Sequence, residues 1–218
     1  MRTTNKALLV ATVVLVAAIP GQAGELRLGV QGGASLSTLK VANLESALTT
    51  EGRTGYDAGL RIEAALGHAL SLVVAPSLVE RGGAVVEPVQ NQRLQLDTRY
   101  LEVPVLLKLS AGGGAARPYV LAGASFAWPR SARLRLSIAG TSLAADDVLS
   151  DLTGTDVLLQ AGLGIDLAAG ERLHLFAEGL YGWGLRGVDS GDPSAVDYID
   201  AKNRGVSVRG GVTIRLGR

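Results

Sequence analysis

The sequence predicts an all-β fold: a closed, antiparallel, eight-stranded, up-and-down barrel that crosses a membrane as strands. Three observations predict it. Side chains alternate with a period of two in eight segments; the links between segments alternate strictly between short and long; and the face opposite the apolar residues carries small residues and a few mixed charges.

The alternation is clearest in "TDVLLQAGLGIDL", where Val157, Leu159, Ala161, Leu163, Ile165 and Leu167 fall on one face and Asp156, Gln160, Gly162, Gly164 and Asp166 on the other. "ELRLGVQGGASLS" sets Leu26, Leu28, Val30, Ala34 and Leu36 against Arg27, Gln31, Ser35 and Ser37. "YDAGLRIEAAL" sets Tyr56, Leu60 and Ile62 against Asp57, Arg61 and Glu63. "ALSLVVAPSLVER" follows from Ala69 to Arg81, with Pro76 inside it. In "QRLQLDTRYLEVPVLLKL" the pattern changes phase near Arg99, which suggests a bulge; beyond it Leu101, Val103, Val105, Leu107 and Leu109 oppose Glu102, Pro104 and Lys108. "RPYVLAGASFAW", "ERLHLFAEGLYGWGL" and "RGVSVRGGVTIRL" complete the eight. Most are as long as the ~9–11 residues a tilted strand needs to cross a bilayer. Leu134, Leu136 and Ile138 also alternate, and read either as a strand continuing above the membrane into a loop hairpin or as two further strands, making ten.

The links give the topology. "GH" (Gly67, His68), "SAGGGAA" and "AAG" are short, whereas the links around Thr38 to Gly55, Gly82 to Asn91, Pro129 to Thr155 and Arg186 to Asn203 are long. Outer-membrane barrels have this asymmetry, with short periplasmic turns and long extracellular loops. An even strand number puts both termini at the short-turn end.

The N-terminus adds a compartment. Arg2 and Lys6 precede the 13-residue run Ala7 to Ile19, and small residues stand at Gly21 and Ala23. This is a secretory signal peptide over residues 1–23, leaving one barrel domain over 24–218. Its removal takes away Arg2 and Lys6 and moves the formal charge from +1 to −1, so no basic field exists for nucleic acid. With no cysteine there is neither a disulfide scaffold nor a thiolate metal site.

The non-apolar face decides between lipid outside and water outside. It is rich in Gly29, Gly33, Gly59, Gly123, Gly162, Gly164 and Gly211, as a narrow eight-stranded lumen requires. Its charges form the candidate site: Arg61, Glu63, Glu102, Lys108, Asp166, Glu178, Arg209 and Arg215. Buried charges must be paired or hydrated. Arg61, Arg209 or Arg215 are expected to reach across the lumen to Glu102, Glu63 or Glu178. Tyr56, Tyr100, Trp128, Tyr181 and Trp183 lie near segment ends, where an interfacial aromatic girdle belongs.

"RYLEVPVLLKL", "RPYVLAGASFAW", "LQAGLGIDL", "LFAEGLYGWGL" and "GVSVRGGVTIRL" together resemble the PorT-like outer-membrane β-barrel family; Tyr100 to Pro104 and Pro118 to Gly123 are the most specific pieces. The resemblance implies a location in the bacterial outer membrane, with lipid and the barrel-assembly machinery as partners, and says little about chemistry.

The leading functional expectation is a monomeric structural or interaction protein that presents its loops to an unidentified partner and has a filled lumen. The alternatives are a narrow, charge-lined porin for small solutes and a soluble periplasmic lipocalin-like binding barrel. Enzyme chemistry is not expected. His68 sits in a turn, His174 lies near the start of the seventh segment, and neither has a serine placed as nucleophile. No cofactor is implied. Asp192, Asp197 and Asp200 offer oxygen ligands for Ca²⁺ but read first as a solvated acidic loop. "AGGGAAR" has no Lys and no following helix, which rules out a phosphate cradle of the nucleotide-binding kind.

Overall fold

The computed structural model describes residues 25–41, 49–87, 92–138, 141–147, 155–185 and 201–216. The expected signal peptide, residues 1–23, and the acidic loop Asp192 to Asp200 lie outside the described residues.

Among the described residues every element is a strand, and every pairing is antiparallel. The strands are β1 (Leu26–Val41), β2 (Thr49–Ala65), β3 (Leu70–Val74), β4 (Ser77–Glu87), β5 (Gln92–Ser110), β6 (Ala116–Ile138), β7 (Thr141–Asp147), β8 (Asp156–Ala168), β9 (Leu173–Gly184) and β10 (Ala201–Leu216). Pairing runs from β1 through β10, β9, β8, β6 and β5, then through β3 and β4 to β2 and back to β1, so the ladder closes into a ring. The first and last strands complete it, from Leu26 opposite Leu216 to Val41 opposite Ala201. No helix among the described residues is long and apolar enough to cross a membrane.

The described residues form ten strands, where the sequence predicts eight, and both extra strands have a local cause. The expected third segment breaks at Ala75 and Pro76, giving β3 and β4 in succession between β2 and β5. Proline has no N–H for the ladder. The chain compensates there: Leu60 N–H donates to the Pro76 carbonyl at 3.0 Å, and Ala75 N–H donates to the Pro104 carbonyl at 3.2 Å. At the other extra strand, the run containing Leu134, Leu136 and Ile138 is the far end of β6. It pairs with β7 there, while Ala116 to Ala127 of the same strand pairs with β8. β7 and β8 thus lie one after the other along one edge of β6.

The short links Leu66 to Ala69, Ala111 to Ala115 and Ala169 to Arg172 gather at one end, beside Glu25 and Leu216. Gly112 has φ +79°, a left-handed conformation that a side chain would strain. At the opposite end β5 and β6 run for 19 and 23 residues, roughly 60 and 75 Å of chain. Even tilted, that exceeds an apolar band of about 25 Å, so the hairpin extends past it. The expected bulge near Arg99 exists, but the extra residue is on the partner strand. Tyr100 pairs with Pro129 and Arg99 with Ser131, which leaves Arg130 unpaired on β6.

Polarity across the wall is the reverse of a soluble domain's. Leu163 is 69% exposed and Val208 60%, whereas Arg61 and Lys108 are each 1% exposed. Leu60, Leu78, Leu107, Val120 and Leu159 extend the outer apolar surface around the ring. A continuous apolar skin of this extent is not stable in water.

Candidate functional site: the charged lumen

The inner face is built from alternation around the whole ring, and its charged residues fall in three layers. Nearest the short turns, Lys108 Nζ donates to both oxygens of Glu63 (2.9 and 3.0 Å) and to Asp166 Oδ2 at 3.0 Å. Arg27 Nη1 donates to the same Asp166 oxygen at 2.8 Å and is also paired with Glu25. The other Asp166 oxygen lies 3.1 Å from His174 Nδ1.

The middle layer centres on Glu178, whose side chain is 1% exposed. Arg61 Nη1 donates to it at 2.9 Å, the Tyr119 hydroxyl donates at 2.9 Å, and Arg209 lies 3.4 Å away. Arg61 also lies 3.6 Å from Glu63, and Arg209 lies 3.5 Å from Asp57. Both aromatic rings here serve the cations: Arg61 stacks 4.2 Å from the Phe176 centroid, and Lys108 Nζ is 4.4 Å from that of Tyr119. Glycines across the ladder make room for the rings. Gly164 is opposite Tyr119 and Gly211 opposite Phe176. A Cβ on Gly211 would come within 2.8 Å of the Phe176 ring.

The third layer centres on Glu102, which accepts from Ser125 Oγ at 2.8 Å and Gln160 Nε2 at 2.7 Å, and pairs with Arg81. Apolar side chains fill the gaps between layers: Val73, Leu106, Leu121 and Leu180 in one cluster, Tyr100, Ala127 and Leu158 in another. A cavity of about 400 Å³ remains at the short-turn end, between Glu25, Arg27, Lys108 and Arg117.

Of the eight expected lumen charges, Arg61, Glu63, Glu102, Lys108, Asp166, Glu178 and Arg209 are buried inside the ring. Arg215 is not among them. Its side chain is 35% exposed at the short-turn rim, where it reaches Glu25 at 3.4 Å and the Glu171 carbonyl. The expected partners of Glu102 also need correction. Arg81 from the adjacent β4 meets it, not Arg61, Arg209 or Arg215. Arg27, Asp57, Tyr119 and His174 belong to the site as well. The parities of Arg27 and Asp57 already match Gln31 and Arg61, whereas Arg81 follows a strand break that hides its direction in the sequence.

Among the five expected girdle aromatics, Tyr56 and Trp183 are exposed, and Trp128 and Tyr181 are half-buried; Tyr181 meets Trp183 edge-on, with ring centroids 4.5 Å apart. Tyr100 is the exception, 3% exposed and packed inside against Ala127 and Leu158. It shares the inner face of β5 with Glu102, two residues on, which sequence position near a segment end does not reveal.

Glu102→Ala is expected to lower stability by about 2 kcal/mol, through three lost partners and a partly buried Arg81 left without its counter-ion. Urea unfolding in lipid vesicles measures it, and an unchanged midpoint would mean that water already solvates Arg81.

With this geometry in view, the comparison with known families is direct. Residues 20–190 match the outer membrane protein beta-barrel domain. The chain belongs to that family. The match supports a bacterial outer-membrane location and does not single out a PorT-like branch. Among solved outer-membrane barrels, OprG from Pseudomonas aeruginosa superposes with a TM-score of 0.51 at 13% identity, covering 91% of this chain and 99% of that one. Neisserial surface protein A gives 0.44 at 12% identity, covering 88% and 97%. Ail of Yersinia pestis, solved with the heparin analogue sucrose octasulfate, gives 0.41 at 16%, covering 88% and 99%. At such identities the OprG likeness speaks for the fold alone. No curated protein sequence matches this chain. As a family member, the protein presents its exposed leucines to lipid and keeps Arg61, Lys108, Glu178 and Arg209 buried inside the ring.

Proposed function

We propose that this outer-membrane barrel is a monomeric, non-conducting scaffold whose biological role is carried by the long connections at one end. The observation that carries the reading is the middle layer of the lumen. Arg61, Glu178, Arg209, Tyr119 and Phe176 interlock across it, and Arg61 and Glu178 are each only 1% exposed. A lumen filled by side chains is what a ring of eight staves accommodates. Eight staves are supported by the pairing, since β3 and β4 share one place in the ring and β7 and β8 share another. The pieces "YLEVP" and "PYVLAG" support a PorT-like placement within the family. The apolar run with its basic flank supports export through a cleaved segment, residues 1–23.

Purified protein in planar bilayers is expected to give no steady conductance steps. Uniform single-channel steps would overturn the non-conducting reading. They would favour a narrow porin, for which the 400 Å³ vestibule lined by both signs of charge is the supporting feature.

A further inference from the structure

At the end of the barrel that carries the long connections, β2, β4, β5 and β6 enclose a second polar space, of about 210 Å³. Its lining is Arg53, Glu80, Asp97, Arg99, Ser131, Arg133 and Arg135. None of the seven is apolar. The unpaired residue Arg130 sets the register here, placing Ser131, Arg133 and Arg135 opposite Arg99, Asp97 and Gln95.

The charges do not cancel. Arg53 takes up both carboxylates: Nη2 donates to Glu80 at 3.1 Å, and Nη1 pairs with Asp97. Asp97 also accepts from Gln95 Nε2 at 3.0 and 3.2 Å, and Arg135 lies 3.9 Å from it. Arg99 and Arg133 are exposed and have no ion-pair partner among the described residues. The lining itself holds four cations, Arg53, Arg99, Arg133 and Arg135, against two anions, Glu80 and Asp97.

We infer that this space binds phosphate groups. Guanidinium forks match tetrahedral oxyanions bidentately, and two of them are uncommitted. The surplus positive charge disfavours a cation, and the wholly polar lining offers nothing to an apolar ligand. A diphosphate or a phosphorylated sugar unit fits the volume, with the Ser131 hydroxyl as a further donor. Two sources share this chemistry: a soluble phosphate ester, and the phosphorylated headgroup of an outer-leaflet glycolipid. The inference goes beyond the scaffold reading and stands whether or not the lumen conducts.

The test is calorimetric titration of the full barrel, folded in micelles at low salt, with inorganic pyrophosphate. Saturable binding is expected, weakened at least about tenfold in R99Q/R133Q and unchanged in R172Q, whose charge lies at the opposite rim. The heat-dependent gel shift establishes that each variant is folded; if the double variant is not, R99Q alone is expected to show the same direction of change. In a second arm the barrel is embedded in vesicles carrying the glycolipid with or without its phosphates. Competition by the phosphorylated form alone identifies the lipid as the source, and competition by neither identifies a soluble ester. Absence of pyrophosphate binding, or equal binding by wild type and R99Q/R133Q, overturns the inference.

Discussion

Replacing Glu178 by alanine is expected to cost the barrel about 3–5 kcal/mol, the largest loss from any single lumen substitution. The carboxylate accepts from Arg61 and Tyr119 at 2.9 Å and lies 3.4 Å from Arg209. Removing it strands two guanidiniums at a depth where their side chains are 1% and 2% exposed. As ion-pair partners among the described residues, Arg61 then has Glu63 at 3.6 Å and Arg209 has Asp57 at 3.5 Å. Glu178→Gln separates charge from shape, since the amide oxygen still accepts from Tyr119 while the counter-charge is gone. Urea unfolding in lipid vesicles is expected to place Gln between wild type and Ala. A change below about 1 kcal/mol for Ala would mean that water reaches both arginines, and the filled-lumen reading would fail.

Leu163→Arg, on the opposite side of the wall, is expected to cost about 2–4 kcal/mol when folded in a bilayer. Leu163 is the most exposed large apolar side chain among the described residues, at 69%, and lies near the middle of β8. In a water-facing barrel an arginine there would be neutral or would aid solubility. In lipid it must carry its charge into hydrocarbon or snorkel to the interface. The sign of the effect therefore reports which solvent this face meets. Leu173→Arg, at the short-turn end of β9, is expected to cost about 1 kcal/mol or less, because the penalty falls near the interfaces. Equal costs at the two sites would contradict the bilayer placement.

Much of the architecture is legible in residue order because alternation is a local property. Leu159, Leu163 and Ile165 must share a face once the segment is a strand, and Gln160 and Asp166 must share the other. The same logic marks Arg61, Glu63, Glu178 and Arg209 as a set that points one way. It fails where a strand breaks or a bulge intervenes. Pro76 splits one expected strand in two, and the direction of Arg81 beyond it depends on how the chain resumes. The phase change near Arg99 is visible, yet the extra residue, Arg130, is on the neighbouring strand.

By itself the sequence determines period and face, and from these an outer-membrane wall with lipid outside and charge inside; link length it does not, since much of the expected long links at 38–55, 82–91 and 129–155 is strand. Partner choice within the lumen belongs to tertiary structure alone. Arg61 and Glu178 are 117 positions apart in the chain, and Lys108 and Glu63 are 45 apart. Each pair joins strands that are not ladder neighbours, so ring closure and the stagger of the ladders decide which charges fall at one depth. The surplus of arginine beside β5 and β6 likewise arises only when a one-residue bulge sets Arg133 and Arg135 opposite Asp97 and Gln95. Local sequence chooses which face a charge occupies; only closure of the barrel chooses what it meets there.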